Sequence, residues 1–345
     1  MIKNFLRQEA KRLYPGYFAL VMATGIVSIA AHLLGMEVPA KALFWLNMVF
    51  YVPLVILLSL RAFWFPASLA EDVTVRGTQL FTIVPGTCVL GNQFATIAGS
   101  PAIGHALWIA GTVLWLALIY IFFTGAIIME GKKAPLGKGI DGGWLIFVVG
   151  TESVALLGTI TAHPGQGHLL LFAFSMYLAG GMLYLFIMAI IFYRLLFLPI
   201  SPEELRPAYW INKGAIAITS LTGATLIEDA PKWWFLGEIL PFLKGLAFFF
   251  WAFATWWIPI LVALNAWRHL YKRVPMDYDP AYWSMVFPLG MYTASTFMLG
   301  EAAGLPLLQD ISGVFIYIAL IAWVFTFIGL FRRVALRFFP GKSPT

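Results

Sequence analysis

The tetrapeptide Pro207-Ala208-Tyr209-Trp210 returns as Pro280-Ala281-Tyr282-Trp283, each time at the start of a long apolar stretch. Outward from these two copies the same layout runs through the chain. A helix needs ~20 mostly apolar residues to cross the ~30 Å hydrocarbon layer. Such stretches lie approximately at 17–34, 42–63, 78–98, 105–127, 143–161, 169–193, 208–226, 243–266, 281–299 and 311–331. The odd-numbered ones begin near 17, 78, 143, 208 and 281, a period of roughly 65 residues. Duplication of a helix pair leaves such a period. The repeats then cover approximately 13–65, 74–130, 141–196, 207–268 and 280–335 of a single transmembrane domain, 1–345.

Composition agrees. With 61% hydrophobic and 11% charged residues, against the ~25% charged share of soluble domains, a soluble fold is excluded. The first stretch follows Lys3, Arg7, Lys11 and Arg12, yet it is too long for the apolar core of a cleaved leader and lacks a clear cleavage site, so it reads as a retained helix. A lone cysteine, Cys88, excludes an intrachain disulfide and a cysteine metal cluster.

Charge sets the orientation. The N-terminus, the segments after the second, fourth, sixth and eighth stretches, and the C-terminus hold 19 of the 22 Lys and Arg; Lys41, Lys232 and Lys244 lie opposite. The positive-inside rule then puts both termini in the cytoplasm, requires an even number of crossings, and suits a multi-pass protein of the inner (plasma) membrane. Both copies of the tetrapeptide enter from the cytoplasmic side. Two crossings per unit give parallel repeats around an axis along the membrane normal.

Gly, Ala, Ser and Thr fill 40 of 96 residues in the odd helices but 30 of 115 in the even ones, while Phe and Trp run 9 against 24. Small residues permit close helix approach, whereas lipid favours large apolar groups. The expected fold is therefore all-α: an inner ring of odd helices around a pore, shielded by an outer ring of even helices. Five helices ~9 Å apart lie ~8 Å from their axis and leave a lumen of ~3 Å radius. One phenyl ring would block it.

In the ninth helix, Phe287, Gly290 and Ala294 share a face, so a bulky ring projects from a small stripe. This is either a hydrophobic plug or ordinary packing. Pro288 removes a backbone hydrogen bond beside it and predicts a kink. The third helix has a similar break expected at Pro85-Gly86, followed by Thr87 and Gly91.

The segment Tyr14-Pro15-Gly16-Tyr17-Phe18, the run Met22-Ala23-Thr24-Gly25-Ile26-Val27-Ser28, and Phe287-Pro288 resemble the tellurite-resistance/dicarboxylate transporter family. That family includes slow-type, voltage-dependent anion channels of plant guard cells, bacterial tellurite-resistance proteins, and yeast malate and sulfite carriers. The resemblance covers essentially the whole chain. It implies a homotrimer, each subunit with its own pore through five inner helices, occluded by a Phe of the ninth helix; Phe287, with Pro288 and Gly290, matches that gate. Long regulatory tails are missing here, which puts phosphorylation control in doubt. Thr24, Ser28, Pro85, Thr87, Gly91, Glu152, Lys213, Ser220 and Ala294 are the candidates for lining the pathway.

Glu152 stands near the middle of the fifth helix, where a carboxylate is costly and marks a functional candidate. It is either a proton-binding site coupled to transport or a structural partner of Lys213. An unpaired carboxylate in the lumen would repel anions. Lys213 shares a face with Ala217, Ser220 and Ala224 and either draws anions to the cytoplasmic mouth or snorkels to the interface. Glu228, Asp229, Glu301 and Asp310 suit a solvated rim. His163 and His168 flank a Gly- and Pro-containing turn better than a metal. No metal, cofactor or nucleic-acid partner is expected.

Three functions compete: a weakly gated channel for small inorganic anions, a proton-coupled carrier or exporter of C4-dicarboxylates, sulfite or tellurite-type oxyanions, and an intramembrane enzyme. The last lacks a visible nucleophile with its base, so the chain is expected not to be an enzyme.

Overall fold

The computed structural model describes residues 2–75, 77–128 and 134–338. Among these no strand occurs. Ten helices dominate: α1 (Phe18–Leu33), α2 (Glu37–Trp64), α3 (Ile83–Thr96), α4 (Pro101–Ile128), α5 (Ile146–Thr161), α6 (Gly167–Phe197), α7 (Ile211–Glu228), α8 (Leu240–Ala266), α9 (Trp283–Ala303) and α10 (Pro306–Phe338). Seven segments, which contain α1, α2, α4, α5, α6, α8 and α10, are long and apolar enough to cross a membrane.

The other three are explained by where they pack. α3 has 14 residues, and α7 and α9 carry hydroxyls, Asn212, Lys213 and Glu301. Neighbouring helices cover most of their surface; in α7 every residue from Ile211 to Ile227 is buried. A helix shielded in this way need not match hydrocarbon along its length.

The packing circuit is closed: α1 meets α3, α3 meets α5, α5 meets α7, α7 meets α9, and α9 returns to α1. Each of the five also packs on the helix that follows it in the chain. Those following helices turn large apolar side chains outward, among them Trp45, Ile121, Phe186, Phe249 and Phe325.

The recurring tetrapeptide has one structural meaning. Pro207–Trp210 and Pro280–Tyr282 form single 3-10 turns leading into α7 and α9, as Pro15–Tyr17 does for α1 and Gly142–Leu145 for α5. Proline at the first position of such a turn loses no bond, since that N–H has no intrahelical partner. Asp141 and Asp279 fix two of the turns by accepting from Gly143 N (2.9 Å) and Ala281 N (2.8 Å).

α3 departs from expectation. The chain breaks at Phe81–Thr82, between the short helix Gly77–Leu80 and α3, and not at Pro85-Gly86. Pro85 lies in the first turn of α3, where its missing donor costs nothing. α9 runs unbroken through Pro288.

An arginine near the end of four of the outward-facing helices reaches back to the backbone ahead of the helix before it. Arg61 donates to Leu13 O (3.1 Å), Arg194 to Ile140 O (2.6 Å), Arg268 to Leu205 O (2.7 Å) and Arg333 to Tyr278 O (3.4 Å). These acceptors occupy equivalent places before the lead-ins to α1, α5, α7 and α9. In the α3–α4 pair the matching residue, Arg76, lies outside the described residues, as do Lys132, Lys133 and Lys342 of the charge asymmetry. Arg61 is bound further, to Ala10 O, Lys11 O, Ser68 Oγ and Asp72 (2.5 Å), so it pins the amphipathic helix Ile2–Arg12 and the helix Pro66–Val75 to the end of α2.

Candidate functional site

At the end of the circuit where the lead-in turns converge, a cavity of about 100 Å³ takes three lining residues from each of five lead-ins. Its deepest ring is Ala19, Thr82, Ile146, Ile211 and Ser284; Asp141 and Arg206 stand at its rim. A second, separate cavity of about 10 Å³, the size of a single water, lies among α1, α3, α5 and α9, lined by Ile26, Val89, Ser153, Met291 and neighbours.

Helical geometry joins the two. From Ala19 to Ile26, Thr82 to Val89, Ile146 to Ser153, and Ser284 to Met291 the step is seven residues, two turns within ~20°, or ~10 Å of rise. The same face continues from the first cavity to the second in all four helices. Three residues along each ladder, between the cavities, come Met22, Pro85, Val149 and Phe287, with Gly214 at the same step in α7. All five are buried. Phe287, 1% exposed, is the largest side chain of this collar. Phe287 is not among the lining residues of either cavity.

Pro288 and Gly290 seat this stretch of α9. A Cβ on Gly214 would come 2.7 Å from Pro288 Cγ, and one on Gly290 would come 3.0 Å from Ile26 and Val27 side-chain atoms, so both glycines allow backbones to approach. Ala294 is fully buried one turn beyond Met291. Gly91 packs toward Leu157 and Leu107.

The hydroxyl candidates are engaged with the outward-facing helices. Thr24 accepts from Trp323 Nε1 (3.0 Å), Ser28 donates to Ala40 O (2.7 Å), Thr87 pairs with Tyr51 (3.0 Å), and Ser220 donates to Ala247 O (3.1 Å). They cross-link neighbouring helices. The ladder itself was hidden from composition, yet aligning the repeats on Pro15-Gly16, Gly142-Gly143, Pro207-Ala208 and Pro280-Ala281 recovers it.

Glu152 and Lys213 do not meet. Both carboxylate oxygens of Glu152 are buried without a hydrogen-bond partner. They lie against Gly180 of α6, where a Cβ would sit within contact of Oε1, beside Thr219 and Thr222 of α7 and Tyr177 of α6. The Lys213 ammonium, fully buried, rests 4.5 Å from the Tyr292 ring centroid and 5.2 Å from that of Phe315. It neither snorkels nor lines the mouth. A cation on two ring faces is stabilised by their quadrupoles, and these rings belong to α9 and α10.

At the far end Asp229 pairs with Lys232 (2.8 Å), and burial raises the Asp229 carboxyl above its usual range. Among the described residues no three His, Cys, Asp or Glu are grouped to hold a metal.

Residues 12–331 match the family described as voltage-dependent anion channel. An uncharacterized membrane protein of Mycobacterium tuberculosis is 40% identical over 155 residues, 44% of this chain and 77% of that protein. An uncharacterized transporter of Methanocaldococcus jannaschii is 25% identical over 342 residues, covering 95% and 97% of the two chains. A sulfite efflux pump of Trichophyton rubrum is 24% identical over 351 residues, 91% of this chain and 88% of the pump.

Proposed function

The chain belongs to the voltage-dependent anion channel family, and from that premise we propose that it conducts small anions along the axis of α1, α3, α5, α7 and α9, with Phe287 as the gate. In this reading all ten helices cross the membrane as five parallel hairpins, both termini are cytoplasmic in the plasma membrane, and three subunits assemble, each with its own pore. The lining is Ala19, Met22, Ile26 and their equivalents on the other inner helices. The hydroxyls of Thr24, Ser28, Thr87 and Ser220 hold the wall from behind.

One observation supports the reading: the same face of α1, α3, α5 and α9 carries lining residues of both cavities, and Phe287 is the largest buried side chain at the step between them. The mouth favours anions. Five helix lead-ins converge on it by their N-terminal ends, where helix dipoles concentrate positive potential, while at the rim the charges of Arg206 and Asp141 offset each other. Beyond the mouth the walls are mostly apolar, so selection rests on how readily an anion sheds water. The test is flux and reversal potential in proteoliposomes across chloride, nitrate, sulfite and malate. A reversal potential that tracks the cation gradient, or no flux of any of the four, would sink the proposal.

The second reading is a proton-coupled carrier of sulfite-type oxyanions or C4-dicarboxylates, and the isolation of Glu152 favours it. No cation faces the buried Glu152 carboxylate, and only the Thr219 and Thr222 hydroxyls stand beside it, so in this reading Glu152 carries one proton per cycle. Under a pH gradient, coupling moves the reversal potential away from the anion value, and Glu152→Gln returns it. A potential set by the anion gradient alone in the wild type eliminates coupling. The sulfite efflux pump relative makes sulfite the first substrate to try.

A further inference from the structure

We propose that Asn4, Arg7, Gln8 and Lys11, above the ring of Phe65, form a binding site for the phosphodiester of an anionic phospholipid at the membrane surface. These five residues line a cavity of about 360 Å³. Arg7 and Lys11 are four residues apart on the helix Ile2–Arg12, as are Asn4 and Gln8, so two cations and two amides share one face. The Arg7 guanidinium lies 5.7 Å and the Lys11 ammonium 5.9 Å from the centroid of the same Phe65 ring. Neither cation is in an ion pair among the described residues. Glu9, the one acid of this helix, falls on the opposite side by helical register.

The helix cannot swing freely. Ala10 and Leu13 are buried, and the buried Arg61 holds the carbonyls of Ala10, Lys11 and Leu13. The four polar side chains are therefore presented from a fixed backbone, which lowers the entropic cost of binding. A guanidinium fork beside an ammonium matches the two non-ester oxygens of a phosphodiester. The amides can donate to the remaining ester oxygens.

The site also lies at the right depth. Phe65 follows the last residue of α2, at the level where aromatic side chains gather at the interface. Val49, Val52, Ile56 and Phe63 form one exposed apolar stripe of α2 on the side away from Arg61, which faces acyl chains when the helix crosses the bilayer. A free phosphate would use the same cations and amides but has no acyl chains to hold it at this depth.

The test uses the full chain, purified in detergent and titrated with dioleoylphosphatidylglycerol or dioleoylphosphatidylcholine, with retained lipid read by native mass spectrometry. The anionic lipid should bind at least about tenfold tighter than the zwitterionic one, and Arg7→Gln/Lys11→Gln should abolish that preference. Both side chains are exposed, so the variant should keep its melting temperature. Lys138→Gln, which removes a basic residue outside this cavity, should leave the preference intact. The proposal is overturned if the double variant keeps the preference, if Lys138→Gln removes it equally, or if millimolar inorganic phosphate displaces the lipid.

Discussion

Phe287 is buried at the same step of its helix as Met22, Pro85, Val149 and Gly214, none of which carries an aromatic ring. Its removal should open the axis without disturbing the wall, since the α9 backbone is seated by Gly214 against Pro288 and by Gly290 against α1. We expect Phe287→Ala to raise basal anion flux in proteoliposomes about tenfold or more, a change that corresponds to ~1.4 kcal/mol of barrier. An inserted, folded variant with wild-type flux removes Phe287 from the gate. The sequence nominates this residue because a bulky ring on a stripe of small residues is a local pattern, which leaves plug and packing open until the family resemblance favours the plug. The rest of the collar is not nominated, since Met22 and Val149 look like any buried apolar residue until the repeats are set in one register. Polar residues misled for a related reason: Thr24 and Ser220 mark helix faces that need a donor or acceptor, and in this fold those faces meet the outward-facing helices.

At the scale of the helix pair, hydropathy located the elements, but the recurring arginine bond needed coordinates. Counting basic residues treats Arg194 and Arg333 alike, as charges kept on one side of a membrane. Arg194 is 4% exposed and bonds to Ile140 O (2.6 Å) and Tyr209 Oη (2.5 Å), so Arg194→Met would strand two buried polar groups at ~1–3 kcal/mol each. Arg333 is exposed and makes one 3.4 Å bond; Arg333→Met should cost under ~1 kcal/mol. Thermal unfolding in detergent separates the two outcomes. Equal losses of melting temperature would show that the contact acts through charge placement and not as a buried brace. The expected break in α3 has a comparable origin: by residue type Pro85 reads as a helix breaker, but at the third residue of a helix it breaks nothing.

For the molecule as a whole, one arrangement must satisfy both the membrane and the axis. If every helix pair crosses twice, Lys138, between α4 and α5, and Lys244, in the first turns of α8, lie on opposite sides of the bilayer. The native Cys88 is buried, and its thiol packs where a Cβ on Gly111 would come within 2.5 Å, so it should resist a bulky reagent and leave introduced cysteines as the only reporters. Lys138→Cys and Lys244→Cys should then be labelled by a membrane-impermeant maleimide from opposite faces, Lys138→Cys in inverted vesicles and Lys244→Cys in intact spheroplasts. Labelling of both from the same face would require an even number of crossings between them. That result would end the parallel-hairpin scheme, because the five lead-in turns could no longer converge on one mouth. It would also remove the common direction of the helix dipoles, on which the attraction of anions to that mouth depends.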